Sequence, residues 1–258
     1  MATIVQGLPR VRSGDTRFFL VMAFVMGAID VAGFSLSIVA GRSSFAVPAI
    51  FHLHALVFFG WIALYITQNL LVDGGSVTLH RRLGWVALLW VPVMVVLGTL
   101  MTVLSVQHGA PFFFDVRQFL ISNPLQLLLF AGFVGAALTM RRQTGWHRRL
   151  MYCGMAILCG PGLGRLLPMP LFMPFAWWVV VAAVLVLPVI GAIADQRRAG
   201  RVHPAWFWGI AMMLGVQALA DVVAFSPLGT GLAQRITAGT AGSHRPMTPQ
   251  FPSTPLGG

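Results

Sequence analysis

Residues 174–194 read PFAWWVVVAAVLVLPVIGAIA and contain no charged side chain. A helix that crosses the hydrocarbon core of a bilayer needs about 20 consecutive apolar residues. Six further runs resemble this one, so the sequence predicts an all-α fold, a bundle of seven transmembrane helices. The seven predicted helices cover residues 18–40, 50–72, 84–106, 119–140, 150–168, 174–194 and 205–226.

The composition of the whole chain agrees with a membrane location. Hydrophobic residues make up 57% of the 258 residues and charged residues only 9%, whereas a soluble domain carries about 25% charged residues. Every basic residue is arginine and every acidic residue is aspartate, which excludes site chemistry that depends on Glu or Lys. Cys153 and Cys159 lie about 240° apart around one helix, so we expect two small buried hydrophobic residues.

The arginines predict the orientation of the chain. Cytoplasmic segments of membrane proteins are rich in Arg and Lys, and a cytoplasmic N-terminus assigns most of the arginines to that side. Arg165 falls inside a predicted helix. The cytoplasmic set is Arg10, Arg12, Arg17, Arg81, Arg82, Arg141, Arg142, Arg148, Arg149, Arg197, Arg198 and Arg201. The outside set is Arg42, Arg117, Arg235 and Arg245.

The chain divides into three parts. Residues 1–17 form a cytoplasmic segment that leads into a retained first helix, because no convincing cleavage site follows it. Residues 18–226 form the membrane domain. Residues 227–258 are rich in Gly, Pro, Ser and Thr, a composition that predicts a largely disordered tail outside the cell.

One four-residue motif occurs twice. His-Arg-Arg-Leu begins at His80 and again at His147, in each case where a predicted helix starts at the cytoplasmic side, and His203 precedes the last helix similarly. Two histidines on separate helices can supply both axial ligands of a haem b, and neutral imidazoles also suit copper or zinc. The alternative is that these histidines lie at headgroup level and cap helices or form hydrogen bonds, which we favour for His203.

Two more histidines lie near the outer side. His54 shares a helix face with Trp61, Tyr65 and Gln68, which indicates a surface that faces the bundle. His52 points about 200° away from His54, so the two cannot face one centre. His54 is therefore a further candidate metal or haem ligand, with an ordinary interfacial histidine as the alternative.

Three charged residues fall at membrane depth, Asp30, Arg165 and Asp221. A charge there costs at least about 2.5 kcal/mol and normally faces a partner, so we expect Arg165 to pair with Asp30 or Asp221. With His52 these residues could line an outer polar cavity, and Arg165 could instead bind a haem propionate. Gly160-Pro161-Gly162-Leu163-Gly164 interrupts the same helix and predicts either close packing or a cavity.

The run from His54 through Leu79-His80-Arg81-Arg82-Leu83-Gly84-Trp85 to His147-Arg148-Arg149-Leu150-Met151 resembles a widespread family of uncharacterised bacterial inner-membrane proteins, over residues 18–195. It has a weaker likeness to transmembrane cytochromes b and to membrane proteins of oxidase assembly. These resemblances imply a multi-pass protein of the bacterial inner membrane.

Three functional hypotheses follow from the residues and the resemblance. The first is a haem- or metal-binding protein of electron transfer or oxidase biogenesis. The second is a transporter or small-molecule binder that uses the outer polar cavity. The third is an accessory subunit that packs against a larger membrane complex. Lipid is the expected partner in each case, other membrane subunits belong to the third, and nothing indicates nucleic acid.

Overall fold

A computed structural model describes residues 14–109 and 111–251. Most of the predicted segment 1–17 and the last residues of the tail lie outside these ranges. Within them the chain forms helices and no strand. The α-helices are α1 (Gly14–Val39), α2 (Ala49–Asp73), α3 (Val77–Gly84), α4 (Ala87–Gln107), α5 (Val116–Thr139), α6 (Thr144–Leu158), α7 (Gly160–Leu166), α8 (Ala176–Ala199), α9 (Pro204–Ala224) and α10 (Pro227–Thr237).

Six of these helices are long and apolar enough to cross a membrane, namely α1, α2, α4, α5, α8 and α9. Large hydrophobic side chains on their outer faces are exposed, for example Leu89 and Val96 on α4. Lipid would cover such faces, because the hydrocarbon of a bilayer is as apolar as these side chains. The chain is therefore a multi-pass membrane protein by the length and composition of its helices. The remaining predicted run, residues 150–168, is divided between α6 and α7.

Helices α6 and α7 together lead from one end of the bundle to the other. Arg148 in the first turns of α6 pairs with Asp15 at the start of α1. Further along, α7 packs against the second half of α1, where Gly33 meets the backbone of Gly162. A Cβ atom on Gly162 would lie 2.8 Å from the Cα atom of Asp30, so the absence of a side chain is what lets the two helices approach. The glycine-rich break thus serves close packing.

The centre of the bundle is filled by large apolar side chains. The indole of Trp206 is fully buried and occupies space that a side chain on Gly191 would take. Its ring meets Tyr152 edge to face, with the ring centroids 5.0 Å apart. Cys153 and Cys159 are free thiols with no exposed surface in this core, which confirms the prediction of small buried hydrophobic residues.

The two copies of the His-Arg-Arg-Leu motif lie in different structural environments. The copy at His147 lies in the first turns of α6, as predicted. The copy at His80 lies in a separate short helix, α3, and α4 begins only at Ala87. No residue of α3 is buried, and Arg81 and Arg82 are exposed. The prediction that His80 starts a long helix is therefore wrong. The short amphipathic helix α3 lies along the end of the bundle, and the chain turns into the bundle only with α4.

Most arginines of the described chain lie at this same end, where α1, α4, α6 and α9 begin. We call it the arginine-rich end. It carries Arg17, Arg81, Arg82, Arg141, Arg142, Arg148, Arg149, Arg197, Arg198 and Arg201.

The tail differs from the prediction of disorder over its described part. Ser226 caps α10 by accepting a hydrogen bond from the backbone N–H of Gly229, and α10 packs against α4, α5 and α9. Further on, the Arg245 guanidinium donates to the carbonyls of Gly109, Pro111 and Phe114. These contacts join the tail to the connection between α4 and α5, so residues 227–251 belong to the folded domain.

Candidate functional site

The imidazoles of His80 and His147 lie side by side at the arginine-rich end. Their ring centroids are 6.1 Å apart and their planes are nearly perpendicular, at 86°. His80 is carried by α3 and His147 by α6, so two separate helices bring the rings together. Both side chains are partly buried. This is the pair that the repeated motif singled out.

One ring nitrogen of each histidine lies within hydrogen-bond distance of a neighbouring group. The Nδ1 atom of His147 lies 2.8 Å from the carbonyl oxygen of Ala137 at the end of α5, so Nδ1 carries the proton and Nε2 keeps a free lone pair. His80 Nδ1 faces the amide of Gln68 on α2, which also bonds the backbone oxygen of His80 at 3.2 Å and the N–H of Gly84 at 3.0 Å. In this orientation the Gln68 nitrogen donates to His80 Nδ1, so Nδ1 is an acceptor and the neutral His80 ring carries its proton on Nε2.

The surroundings of His80 favour a neutral ring. Burial, the neighbouring His147 and the charge of Arg81 lower the pKa of His80 below its usual value of 6.5. A neutral imidazole is the form that binds a metal ion. Metal-binding histidines usually hold their second nitrogen on a carbonyl or another polar group, and His147 with Ala137 has that arrangement.

Two other predicted ligands lie far from this pair. His54 and Gln68 are on the same helix, and 14 residues of helix separate them by roughly 21 Å. Since Gln68 contacts His80, His54 cannot share a metal ion with His80. Arg165 lies roughly 27 Å of helix beyond His147, so it cannot reach the propionate of a haem bound between His80 and His147. Within the described ranges, no group of three or more His, Cys, Asp or Glu side chains is placed to hold a metal ion.

A second set of polar groups lies between α1, α2 and α7 towards the opposite end. Asp30 is 2% exposed, and no described side chain donates to its carboxylate, which only the backbone N–H of Gly162 approaches. His54 Nδ1 is also buried without a partner. Arg165 interacts electrostatically with both residues, but its guanidinium stacks 4.0 Å over the ring of Phe34 and forms no ion pair with Asp30. His52 is exposed and does not join this group.

Asp221 is separate from that group and belongs to a closed network between α5, α8 and α9. One of its oxygens accepts from the amides of Gln118 and Gln217, both at 2.8 Å, and the other accepts from the indole of Trp178 at 2.9 Å. Gln217 in turn accepts from Trp177 at 2.9 Å. The predicted Arg165–Asp221 pair is therefore wrong, because neutral donors satisfy Asp221. The four proposed cavity residues do not form one cavity.

The most deeply buried ion pair of the described residues was not predicted from the sequence. Arg149 donates to both oxygens of Asp195 on α8, each at 2.7 Å, and the side chains are only 6% and 3% exposed. Trp206 donates its indole N–H to the same carboxylate at 2.7 Å. Arg149 belongs to the second His-Arg-Arg-Leu motif. Asp195 lies in a polar stretch at the end of a helix, and nothing in the sequence around it predicts that it is buried.

A polar cavity of about 440 Å³ opens beside this ion pair. It lies between the starts of α6 and α9 and the end of α8, and Asp15, Arg148, Arg149, Asp195 and Arg201 line it together with His203. His203 is the N-cap of α9, and its Nδ1 accepts from the N–H of Ala205 at 3.2 Å. Burial and the charge of Arg149 lower the pKa of His203. It is a capping residue, which is the reading that we favoured from the sequence.

Comparison of this chain with models of known protein families, with curated proteins and with solved structures finds no match.

Proposed function

We propose that this membrane protein binds a haem b, or a single transition-metal ion, between His80 and His147. One observation carries the proposal, the approach of two imidazoles from different helices to a centroid separation of 6.1 Å. Bonds between a metal and an imidazole nitrogen are about 2.0–2.1 Å long, so two imidazoles on one ion have centroids roughly 6 Å apart. The observed separation of the two ring centroids is close to this value.

The neighbouring groups support the same site. Ala137 O leaves Nε2 of the neutral His147 ring free as a ligand. Coordination through His80 Nε2 would require Gln68 to turn its amide and give up its bonds to His80 O and the N–H of Gly84. Arg81 and Arg148 adjoin the two histidines in the chain and would provide positive charge near the acidic groups of a haem. Haem would supply one-electron transfer, and the chain would position it through these two ligands. This role fits electron transfer or the biogenesis of a respiratory oxidase.

The proposal includes a topology in the bacterial inner membrane. Since α6 and α7 lead across the bundle, they act as the seventh transmembrane segment. The arginine-rich end then faces the cytoplasm by the positive-inside rule, with the N-terminus on that side and α10 with the tail outside. The histidine pair would lie at the cytoplasmic surface.

An optical spectrum tests the site directly. The protein is purified in detergent from cells supplied with haem precursor, and spectra are taken oxidised and after reduction with dithionite. We expect sharp reduced α and Soret bands that His80→Ala and His147→Ala each abolish. His108→Ala is the matched control, because His108 is exposed and lies at the opposite end of the bundle. A spectrum without bands, with no iron, copper or zinc by elemental analysis, refutes the proposal.

The second hypothesis, a small-molecule binder, keeps one supporting observation. Asp30 and His54 both hold buried polar atoms without side-chain partners among the described residues, and such groups are rare in folded proteins. A bound cation, proton or polar ligand between α1 and α2 would satisfy them. If the spectrum and elemental analysis show no cofactor, a thermal-shift screen of cations and small amines against wild type and Asp30→Asn would test this site. A ligand that stabilises only the wild type would support it.

A further inference from the structure

Two depressions lie next to each other at the arginine-rich end. One is the polar cavity described above, and the other is a groove of about 460 Å³ between α1 and α8. The side chains of Phe18, Ile190 and Ile193 line the groove, with Arg197 and Arg198 at its edge. Arg198 pairs with Asp15 at 3.3 Å, and Asp15 also lines the polar cavity. One ion pair therefore separates an apolar groove from a polar cavity.

The polar cavity has a surplus of hydrogen-bond donors. Both of its carboxylates are already paired, Asp15 with Arg148 and Asp195 with Arg149. The Nε atom of Arg148 is buried and has no hydrogen-bond partner in the described chain. Because His203 Nδ1 accepts a backbone N–H, the neutral ring carries its proton on Nε2 and offers one more donor. Three arginines oppose two aspartates around this space, so it suits an oxyanion.

Two arginines near the depressions form no ion pair with a described residue. Arg197 at the edge of the groove and Arg201 at the polar cavity are exposed. Neither forms an ion pair with any described residue, whereas Arg148, Arg149 and Arg198 all do. Arg197 and Arg201 can therefore bind an anion without breaking a contact of the fold.

The groove is suited to a lipid chain. Its lining is almost entirely apolar, and Ile190 and Ile193 are 38% and 47% exposed. Both belong to α8, one of the helices long and apolar enough to cross a membrane, and they lie within the last three turns of that helix, next to the arginine-rich end. A lipid with its phosphate level with Arg197 would extend its acyl chain along this groove.

We propose that an anionic phospholipid binds here, with its phosphate between Arg197, Arg201 and the polar cavity, and an acyl chain in the groove of Phe18, Ile190 and Ile193. Basic pockets between transmembrane helices are the usual binding sites of acidic lipid headgroups. A free phosphate ion would use the donors but would leave the adjoining groove empty. This inference does not depend on the histidine site.

Native mass spectrometry and thermal shift test the proposal on the full chain in detergent. The probes are phosphatidylglycerol, phosphatidylcholine with the same acyl chains, glycerol phosphate and inorganic phosphate. We expect phosphatidylglycerol to bind at least tenfold more tightly than the other three. Each arginine near a charged headgroup contributes about fivefold in affinity, so Arg197→Gln and Arg201→Gln should each weaken binding about fivefold, and the double variant roughly 25-fold.

Arg142→Gln is the matched control. It removes the same charge from the same end of the bundle, but Arg142 is exposed at the turn between α5 and α6 and lines neither depression. It should retain the wild-type preference. An equal loss in Arg142→Gln would mean non-specific attraction and would overturn the proposal. Equal binding of phosphatidylcholine, or of inorganic phosphate, would overturn it as well, the latter by identifying a soluble anion as the ligand.

Discussion

Asp30 and Asp195 are equally buried aspartates in opposite electrostatic environments. Each is 2% exposed. Asp195 receives two bonds from Arg149 and one from Trp206, whereas no described side chain donates to Asp30 and only the backbone N–H of Gly162 approaches its carboxylate. Replacing each by asparagine keeps the size and removes the charge. We predict that Asp195→Asn strongly destabilises the protein and that Asp30→Asn leaves its stability unchanged or raises it.

The magnitudes follow from these contacts. Asp195→Asn leaves the Arg149 guanidinium buried without a counter-charge, and breaking one partner of a buried pair costs about 3–5 kcal/mol. Asp30→Asn removes a buried charge that has no ion pair and is favoured only by the nearby Arg165 and the backbone N–H of Gly162, so the relief of burying the charge should offset what is lost. With 2–4 °C per kcal/mol for a chain of this size, the melting temperature of Asp195→Asn should fall by roughly 6–20 °C.

Thermal unfolding followed by circular dichroism in one fixed detergent measures both variants. The double variant Arg149→Met/Asp195→Leu separates charge from packing, because replacing both partners of a buried pair by apolar residues is often neutral or stabilising. It should recover most of the stability that Asp195→Asn loses. Equal losses in Asp30→Asn and Asp195→Asn would refute the reasoning, since burial alone would then decide the cost.

Two further predictions concern packing and pH. Gly162→Val should lower the melting temperature sharply, because a Cβ atom at this position meets the backbone of α1. In the control Gly132→Ala the added Cβ atom meets nothing, so the melting temperature should stay within a few degrees of the wild type. Equal effects of the two substitutions would contradict the packing role of Gly162. The pKa of His80 is lowered from 6.5 in the fold, so the unfolded chain binds more protons below that pH and stability should fall as the pH drops from 7 to 5. His80→Gln should flatten this decline in melting temperature, and an unchanged slope would assign it to other groups.

The sequence predicted the features that depend on local composition. Runs of apolar residues locate the membrane helices because the bilayer requires length and hydrophobicity rather than particular partners. The approach of His80 and His147 was also anticipated from the shared end of the bundle, although the short helix α3 and not the start of a long helix carries His80. Even the order in the tail had a local signal. Ser226 followed by Pro227 is a typical helix start, but the glycine-rich composition around it pointed to disorder.

Features that depend on distant partners were not predictable from the motif. Arg82 and Arg149 occupy the same place in the two His-Arg-Arg-Leu copies, yet Arg82 is exposed and Arg149 is buried. The difference is set by Asp195, 46 positions after Arg149, on helix α8, which packs against the helix of the second copy. Likewise, Asp221 and Arg165 resembled each other as charges at membrane depth, but packing gives Asp221 three neutral donors and Arg165 an aromatic ring.

The buried ion pair of Arg149 and Asp195 also explains the orientation of the His147 side chain. His147 and Arg149 are two residues apart on α6, so their side chains point about 200° apart around the helix. Asp195 on α8 fixes the direction of Arg149, and His147 is thereby directed to the other side, towards Ala137 and His80. A rigid pair on one face of α6 thus orients the candidate ligand on the opposite face. A side chain held in this way keeps its geometry without depending on the exposed helix α3, so only His80 would have to adjust to the proposed ion.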